Sequence, residues 1–428
     1  MSATGAEIKF AAKRATTWGT AVACGAGDGF LIRPSSYKKT QPFNIDDSLG
    51  LGWPTDGDLG EVKVEGEVVG YLRYDSLDLL IAQVMGGHSV THTVASLTTQ
   101  TATGGSTTTA VKSAAGWTVD TYIGKFITML TGSNAGQTRY ITDNDSTTIT
   151  WVGAMANSVA NNDTFTVSGA ASTHVYTVAE STDGIFMTAA AKLGSVSTDE
   201  LVTCKVVGMT IKGAVGKPIE FSFKVIAYDR SFSSATNTVA TFANVTFPET
   251  ANRILYQQMV MRLNVQSAGA LGSTSTYGTN DIVFPASFEF SFQRKMTGVY
   301  GVGSSTNYHD EPTSDGLPDI SLKMEFGRFT SNALLTAKDA GTALKGDLVF
   351  TGALLSGATY RKLTIELPNL KFTDADVPMK EGILTHPVEF KVLGCGSAPT
   401  GMTNLTAPFR MTLINGFGGD KLLAGNTP

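Results

Sequence analysis

Apolar and polar residues alternate along much of this chain. Glu61-Val-Lys-Val-Glu-Gly-Glu-Val68 sets charged and apolar side chains in turn, and Ile219-Glu-Phe-Ser-Phe-Lys-Val225 does the same. Residues 288–294, 320–326 and 388–392 repeat the pattern. A period of two marks antiparallel strands with one face in a core and the other in water. The polar face carries both signs of charge in close register, which predicts ion pairs between strands. Helical signals are few. Residues 76–85 open with Ser76 in the N-cap position and stop at Gly86-Gly87, and residues 330–338 read the same way. Residues 251–259 fit either a short helix or a strand.

The order of elements occurs twice. One copy runs from a strand ending near Pro34 through a long polar loop and Pro54-Thr55-Asp56-Gly57. It continues to the strand at Val62 and the helix after Ser76. The other runs from Pro285 through a long loop and Pro312-Thr-Ser-Asp-Gly316 to the strand at Ile320 and the helix after Thr330. Both end in a Pro-led strand, Pro218-Ile-Glu-Phe221 and Pro387-Val-Glu-Phe390. An internal duplication is the natural reading. The first copy carries extra residues between its helix and its final strand. There, a Thr- and Gly-rich stretch without Asp, Glu, Lys or Arg (87–111) reads as a flexible lead-in. Four strand patterns follow at 125–130, 137–142, 147–152 and 164–167. The expected fold is therefore mainly β: two repeated β-sandwich or barrel units, each with a short flanking helix, plus an inserted small all-β domain. The expected division is 1–87 and 174–235 for the first unit, 88–173 for the insert with its lead-in, 236–400 for the second unit, and 401–428 for a C-terminal extension whose end looks loosely held.

Length and charge narrow the function. A chain of 428 residues buries a large core without disulfides. Its formal charge of −5 argues against a protein that grips nucleic acid phosphates. Charged residues make up only 16%, which suits a protein that hides surface in an assembly. Cys24, Cys204 and Cys395 are odd in number and far apart, so no disulfide framework or all-cysteine zinc site is expected. The first residues lack the basic and apolar regions of a signal peptide, and no apolar run is long enough for a spanning helix.

Candidate chemistry is sparse. Gly132-Ser-Asn-Ala-Gly136-Gln137 has the look of a phosphate-binding loop but carries glutamine where the lysine is needed, so it reads as a hairpin turn. Gly25-Ala-Gly27-Asp-Gly29 reads as a turn before a strand. Asp56, Asp58 and Glu61 lack the spacing of a calcium loop. His88 and His92 lie four apart, but without a helix and a glutamate between them. No Gly-x-Ser-x-Gly elbow occurs. The chain is expected to be no enzyme and to use no cofactor or metal.

The ordered pieces resemble bacteriophage tail tube proteins. They are Ala15-Thr-Thr-Trp18-Gly19-Thr20, the strand Gly60–Gly70, the Leu77–Gly87 helix and stop, His174-Val-Tyr176-Thr177, Cys204–Ile211, and Gly216-Lys-Pro218 with its strand. The likeness covers about residues 15–230 and extends more weakly to about 395. It implies β-barrel subunits that form six-fold rings stacked into a hollow tube through which DNA enters the host cell. A chain holding two units would make a trimeric, pseudo-hexameric ring. Implied partners are further copies of the chain, a tape measure protein, and tail terminator or tip proteins. DNA would meet the chain only in passing, and this chain would insert in no membrane. The implied location is the virion, after synthesis in the host cytoplasm. The lumen is expected to be acidic, so that DNA slides. Glu61, Lys63, Glu65, Glu67, Lys323 and Glu325 are the lumen-strand candidates, ahead of 219–225 and 388–392. The loops 37–59 and 299–318 are expected to reach the adjacent ring and control stacking, with Phe43, Asp46, Asp47, Trp53, Tyr300 and Tyr308 as contacts. The alternatives are another virion ring or decoration protein, such as a tail terminator or head decoration, and a carbohydrate-binding β-sandwich module. Four tryptophans without clustering weaken the last.

Overall fold

The alternating segments are rich in Val, Ile, Phe and Thr, which fit a pleated, half-buried surface, and they fold as strands. The computed structural model describes residues 8–25, 27–46, 53, 56–75, 77–92, 95–123, 125–169, 171–247, 252–301, 306–356, 358–379, 381–416 and 422. The chain begins with β1 (Lys9–Ala15), β2 (Gly29–Phe30), β3 (Ser36–Thr40), β4 (Phe43–Ile45), β5 (Gly57–Leu59), β6 (Lys63–Tyr71), α1 (Asp78–Met85) and β7 (Gly86–His92). The insert holds β8 (Ala95–Thr101), β9 (Gly104–Gly105), β10 (Thr109–Val111), β11 (Phe126–Met129), β12 (Thr138–Asn144), β13 (Thr148–Trp151) and β14 (Thr164–Ser168). Then come β15 (Ser172–Val178), β16 (Phe186–Leu193), β17 (Ser197–Ala214), β18 (Glu220–Ala227) and β19 (Arg230–Ser231). The remainder is β20 (Met259–Val265), β21 (Ile282–Val283), β22 (Ser287–Gln293), β23 (Met296–Thr297), β24 (Thr313–Ser314), β25 (Asp319–Phe326), α2 (Ala333–Asp339), β26 (Leu344–Ser356), β27 (Thr359–Asp374), β28 (His386–Val392) and β29 (Arg410–Asn415).

One succession of antiparallel pairings occurs twice. In the first unit β1 pairs with β16, and the ladder continues through β17, β18 and β6 to β3. In the second, β20 pairs with β26, and the ladder continues through β27, β28 and β25 to β22. Each ladder closes through a bent strand: β2, just ahead of β3, returns to β1, and β21, just ahead of β22, returns to β20. Each unit is thus a small barrel, which removes most free edges.

The barrels join where the second half of β17 pairs with β22. The joint continues one apolar row across seven strands: Gly70, Phe221, Ile211, Phe290, Leu322, Phe390 and Phe372 face one another in turn. Phe221, Phe290 and Phe390 are buried, and each contributes about 1.5–3 kcal/mol by leaving water. Glycine is required at 70, because a Cβ there would stand 2.7 Å from the Phe221 ring.

Some boundaries differ from expectation. The first helix starts at Asp78 with Leu77 in the N-cap position, while the expected cap Ser76 lies outside the described residues. The stop is as expected: Gly86 takes φ +84° and its N–H closes on the Ala82 carbonyl. The second helix starts at Ala333, three residues after the expected cap. Within 251–259, a 3-10 turn at Tyr256–Gln258 leads into β20.

The lead-in 87–111 is not a flexible tether. Its first residues extend β7 beside β15, and its residues from 95 to 111 contribute β8, β9 and β10 of the insert's own sheet. Threonine suits a strand, and Ala102 and Ala110 are buried in the insert's core with Ile127, Trp151 and Phe165. The insert leaves and returns at paired positions, since His92 faces Ser172. The C-terminal extension contributes one strand to the main sheet. Its β29 lies between β15 and β27 and ties the two units together. Residues 417–421 and 423–428 lie outside the described set.

Candidate functional site

The β3-β6-β18-β17 ladder and the β22-β25-β28-β27 ladder make one continuous sheet across the joint. Its outer face is polar. One row reads Tyr71, Glu220, Lys212, Glu289, Lys323, Glu389 and Asp374, with alternating sign along most of its length. Lys212 lies 3.7 Å from Glu220, and Lys323 lies 3.2 Å from Glu389. Lys63 and Glu65 are 2.8 Å apart, and Glu67 accepts a hydrogen bond from Ser222. Glu325 stands opposite Ser287 and Pro387 on the same face, and Glu61 lies just ahead of β6. Each exposed pair is worth only about 0–1 kcal/mol, so the row solvates the face more than it stabilises the fold. The expected lumen candidates therefore do share one face. They share it with residues of 219–225 and 388–392, which had been ranked below them. The face is of mixed sign and ion-paired, as the alternating charges of these strands predict.

The two ends of this sheet are open. β3 is paired with β6 alone among the described strands. Beyond Leu370, β27 is paired with β28 alone among the described strands. The corresponding edges inside the chain, β22 and the second half of β17, are paired with each other.

The two long loops differ. After β3 the chain forms the hairpin β4–β5, with Phe43 opposite Leu59 and Ile45 opposite Gly57. Alternation places Phe43, Ile45 and Leu59 on one face. They are 61%, 56% and 62% exposed, and Trp53 is 76% exposed. The Asp46 N–H donates to the Asp56 carbonyl at 3.1 Å, while Asp47 lies outside the described residues. The loop after β22 is fastened to the first barrel instead. The buried Arg294 guanidinium donates to the carbonyls of Val84, Met85 and Ala179 at 2.9, 3.1 and 2.7 Å. Burial holds its pKa down at about 10. The Tyr300 hydroxyl donates to the Val62 carbonyl at 3.0 Å, and the Val62 N–H donates to the Thr306 carbonyl at 2.7 Å. Tyr308 is buried against Tyr300, ring centroids 4.8 Å apart. Lys205, also buried, pairs with Glu311 at 2.8 Å and donates to the Pro312 carbonyl at 2.9 Å. Tyr300 and Tyr308 are therefore committed to the chain's own packing and are not free contacts.

The remaining motifs serve the fold. Trp18 packs edge-on against Phe186 and Tyr228, and the Gly19 N–H donates to Thr203 at 2.9 Å. His174 is buried, with its Nδ1 3.1 Å from Nε2 of His88, and the Tyr176 hydroxyl donates to Asp78 at 2.8 Å. The Gly132–Gln137 turn joins β11 to β12. Beside it the buried Arg139 donates to the carbonyls of Gly153 and Ala154 and to Gln137. Cys24 and Cys204 are free and buried, and burial pushes both thiols up. Among the described residues no group of His, Cys, Asp or Glu is disposed to hold a metal ion, and no helix is long and apolar enough to cross a membrane.

The family model described as phage tail tube protein matches residues 5–392. The chain belongs to the phage tail tube protein family. No curated protein matches it. The tail tube protein is thus structural and not an enzyme, and its architecture is mainly β, consistent with that membership. Sequence reasoning missed Ile45 and Leu59, although Phe43-x-Ile45 in a polar loop is an apolar alternation. It also missed Arg294, whose partners are backbone carbonyls and leave no trace in side-chain spacing.

Proposed function

We propose that this chain is the major tail tube subunit, forming three-chain, pseudo-hexameric rings that stack into the hollow tube for DNA passage. The carrying observation is the joint between β17 and β22. It pairs two edges whose counterparts, β27 beyond Leu370 and the outer edge of β3, are open at the two ends of the same sheet. Pairing β27 of one chain with β3 of the next repeats the in-chain joint, and repetition of one head-to-tail joint builds a ring when its rotation closes. Two units per chain and the six-fold rings implied by the family give three chains. The ion-paired outer face then lines the lumen, where few unpaired lysines would hold phosphates. The tube ends are met by tape measure, terminator or tip proteins, and the chain resides in the virion.

Native mass measurement with negative-stain electron microscopy of the concentrated protein tests this. Rings of three chains, or tubes built from them, are expected. Rings of six chains would refute the pseudo-hexamer, and a monomer at every concentration would refute self-assembly.

A further inference from the structure

The fastening of the loop after β22 carries a consequence for the loop after β3, given the ring reading above. The loop after β22 is held by the other barrel of its chain. It crosses the β17–β22 joint and fastens on the preceding unit at α1, Lys205 and Val62. The loop after β3 is its counterpart. It links the equivalent strands of the first barrel and carries the matching run Pro54-Thr-Asp-Gly57 against Pro312-Thr-Ser-Asp-Gly316. Among the described residues nothing covers it in this way, and its apolar face of Phe43, Ile45 and Leu59, with Trp53, stands in solvent. An apolar face of this kind, on a hairpin beside an open strand edge, calls for a cover. We infer that the β4–β5 hairpin and Trp53 form a clasp that crosses the joint between chains and seats on the second barrel of the neighbouring copy in the same ring. Its landing place corresponds to that of Tyr300 on Val62. In the second barrel this is the segment just ahead of β25, where Leu317 is 92% exposed. The clasp is continuous with the proposed β27–β3 pairing and acts laterally within a ring, not axially between rings.

The test uses the full chain with Cys395→Ser, Phe43→Cys and Leu317→Cys, treated with a short bismaleimide after assembly; Cys24 and Cys204 are buried. Covalent closed trimers on a denaturing gel are expected, with either single-cysteine variant staying at the mass of one chain. Rings in the microscope that give only single chains on the gel would overturn the clasp and leave the ring standing. Ladders running past three chains would place the contact between rings and overturn it too. A wild-type chain that stays monomeric throughout would overturn the ring reading and the clasp together. A second variant, Phe43→Ser with Ile45→Ser and Leu59→Ser, is expected to stay folded and to need at least roughly tenfold more protein to form rings, about 1.4 kcal/mol. Rings that form as readily as wild type but no longer stack would overturn the lateral direction.

Discussion

Two loops in equivalent places of two similar barrels meet opposite fates. The loop after β22 buries Tyr308 and anchors Arg294 and Glu311 on the first barrel. The loop after β3 leaves Phe43, Ile45, Leu59 and Trp53 exposed. Both carry aromatic residues, so composition does not separate them. What separates them is a neighbour: the second loop has the first barrel beside it across the β17–β22 joint, while among the described residues no strand lies beyond β3. The repeated succession of pairings thus sets, in one chain, a covered loop beside an exposed one.

The sharpest break of this contrast is Tyr308→Ala. The ring lies against Gly298, where even a Cβ would approach within 2.1 Å of it. Its removal is expected to cost about 3–5 kcal/mol, as for other large buried aromatics, read by chemical denaturation of the monomer. Glu311→Gln comes next. It removes a carboxylate that holds buried Lys205 and accepts from the Gly184 N–H at 2.7 Å. The Pro312 carbonyl still receives Lys205, so about 1–3 kcal/mol is expected, with faster hydrogen exchange in 306–314.

Phe43→Ala and Trp53→Ala reverse the pattern. Their side chains are exposed in the chain, so monomer stability should change by less than about 0.5 kcal/mol. Assembly should still be impaired. A large loss of monomer stability would show that the hairpin packs on its own barrel and would dissolve the contrast. Deleting 95–168 should change assembly least, because the insert has its own sheet and core and its ends return to paired positions. Failure of that variant to fold would place the insert within the barrel's core.

Much of this was legible in the sequence because burial writes a period of two. Phe288, Phe290 and Phe292 alternate in the chain and point together in the fold. The insert was legible for the same reason. Its lead-in was misread because a Thr-rich stretch without charge satisfies both a linker and a strand, and only the facing strand β14 decides. The loops were read as alike because their punctuation is alike. Their difference depends on Val62, Lys205 and the end of α1, which lie far off in sequence; Val62 and α1 meet the loop through backbone carbonyls and Lys205 through its ammonium. The open edges of β3 and β27 could not be read at all, since an unpaired edge is a property of neighbours.

The smallest expected effect separates the two joints by pH. The in-chain joint, β17 against β22, contains no histidine. At the open end, His386 is buried beside the Phe329 ring, and its Nε2 lies 2.9 Å from the carbonyl of Ala375, just past β27. Burial lowers its pKa, outweighing the opposing pull of that carbonyl. The folded chain therefore holds this imidazole neutral, while an opened chain takes a proton near the ordinary value of about 6.5. Stability from this group is full above that value and falls as pH drops through it towards the lowered folded pKa. Corrected for the intrinsic slowing of exchange in acid, the protection of amides around 371–375 should fall between roughly pH 7 and pH 5, while that along 208–214 stays constant. His386→Gln should abolish the difference between the two strands. If both joints loosen together on acidification, or if the variant keeps the pH response, His386 does not govern the open edge.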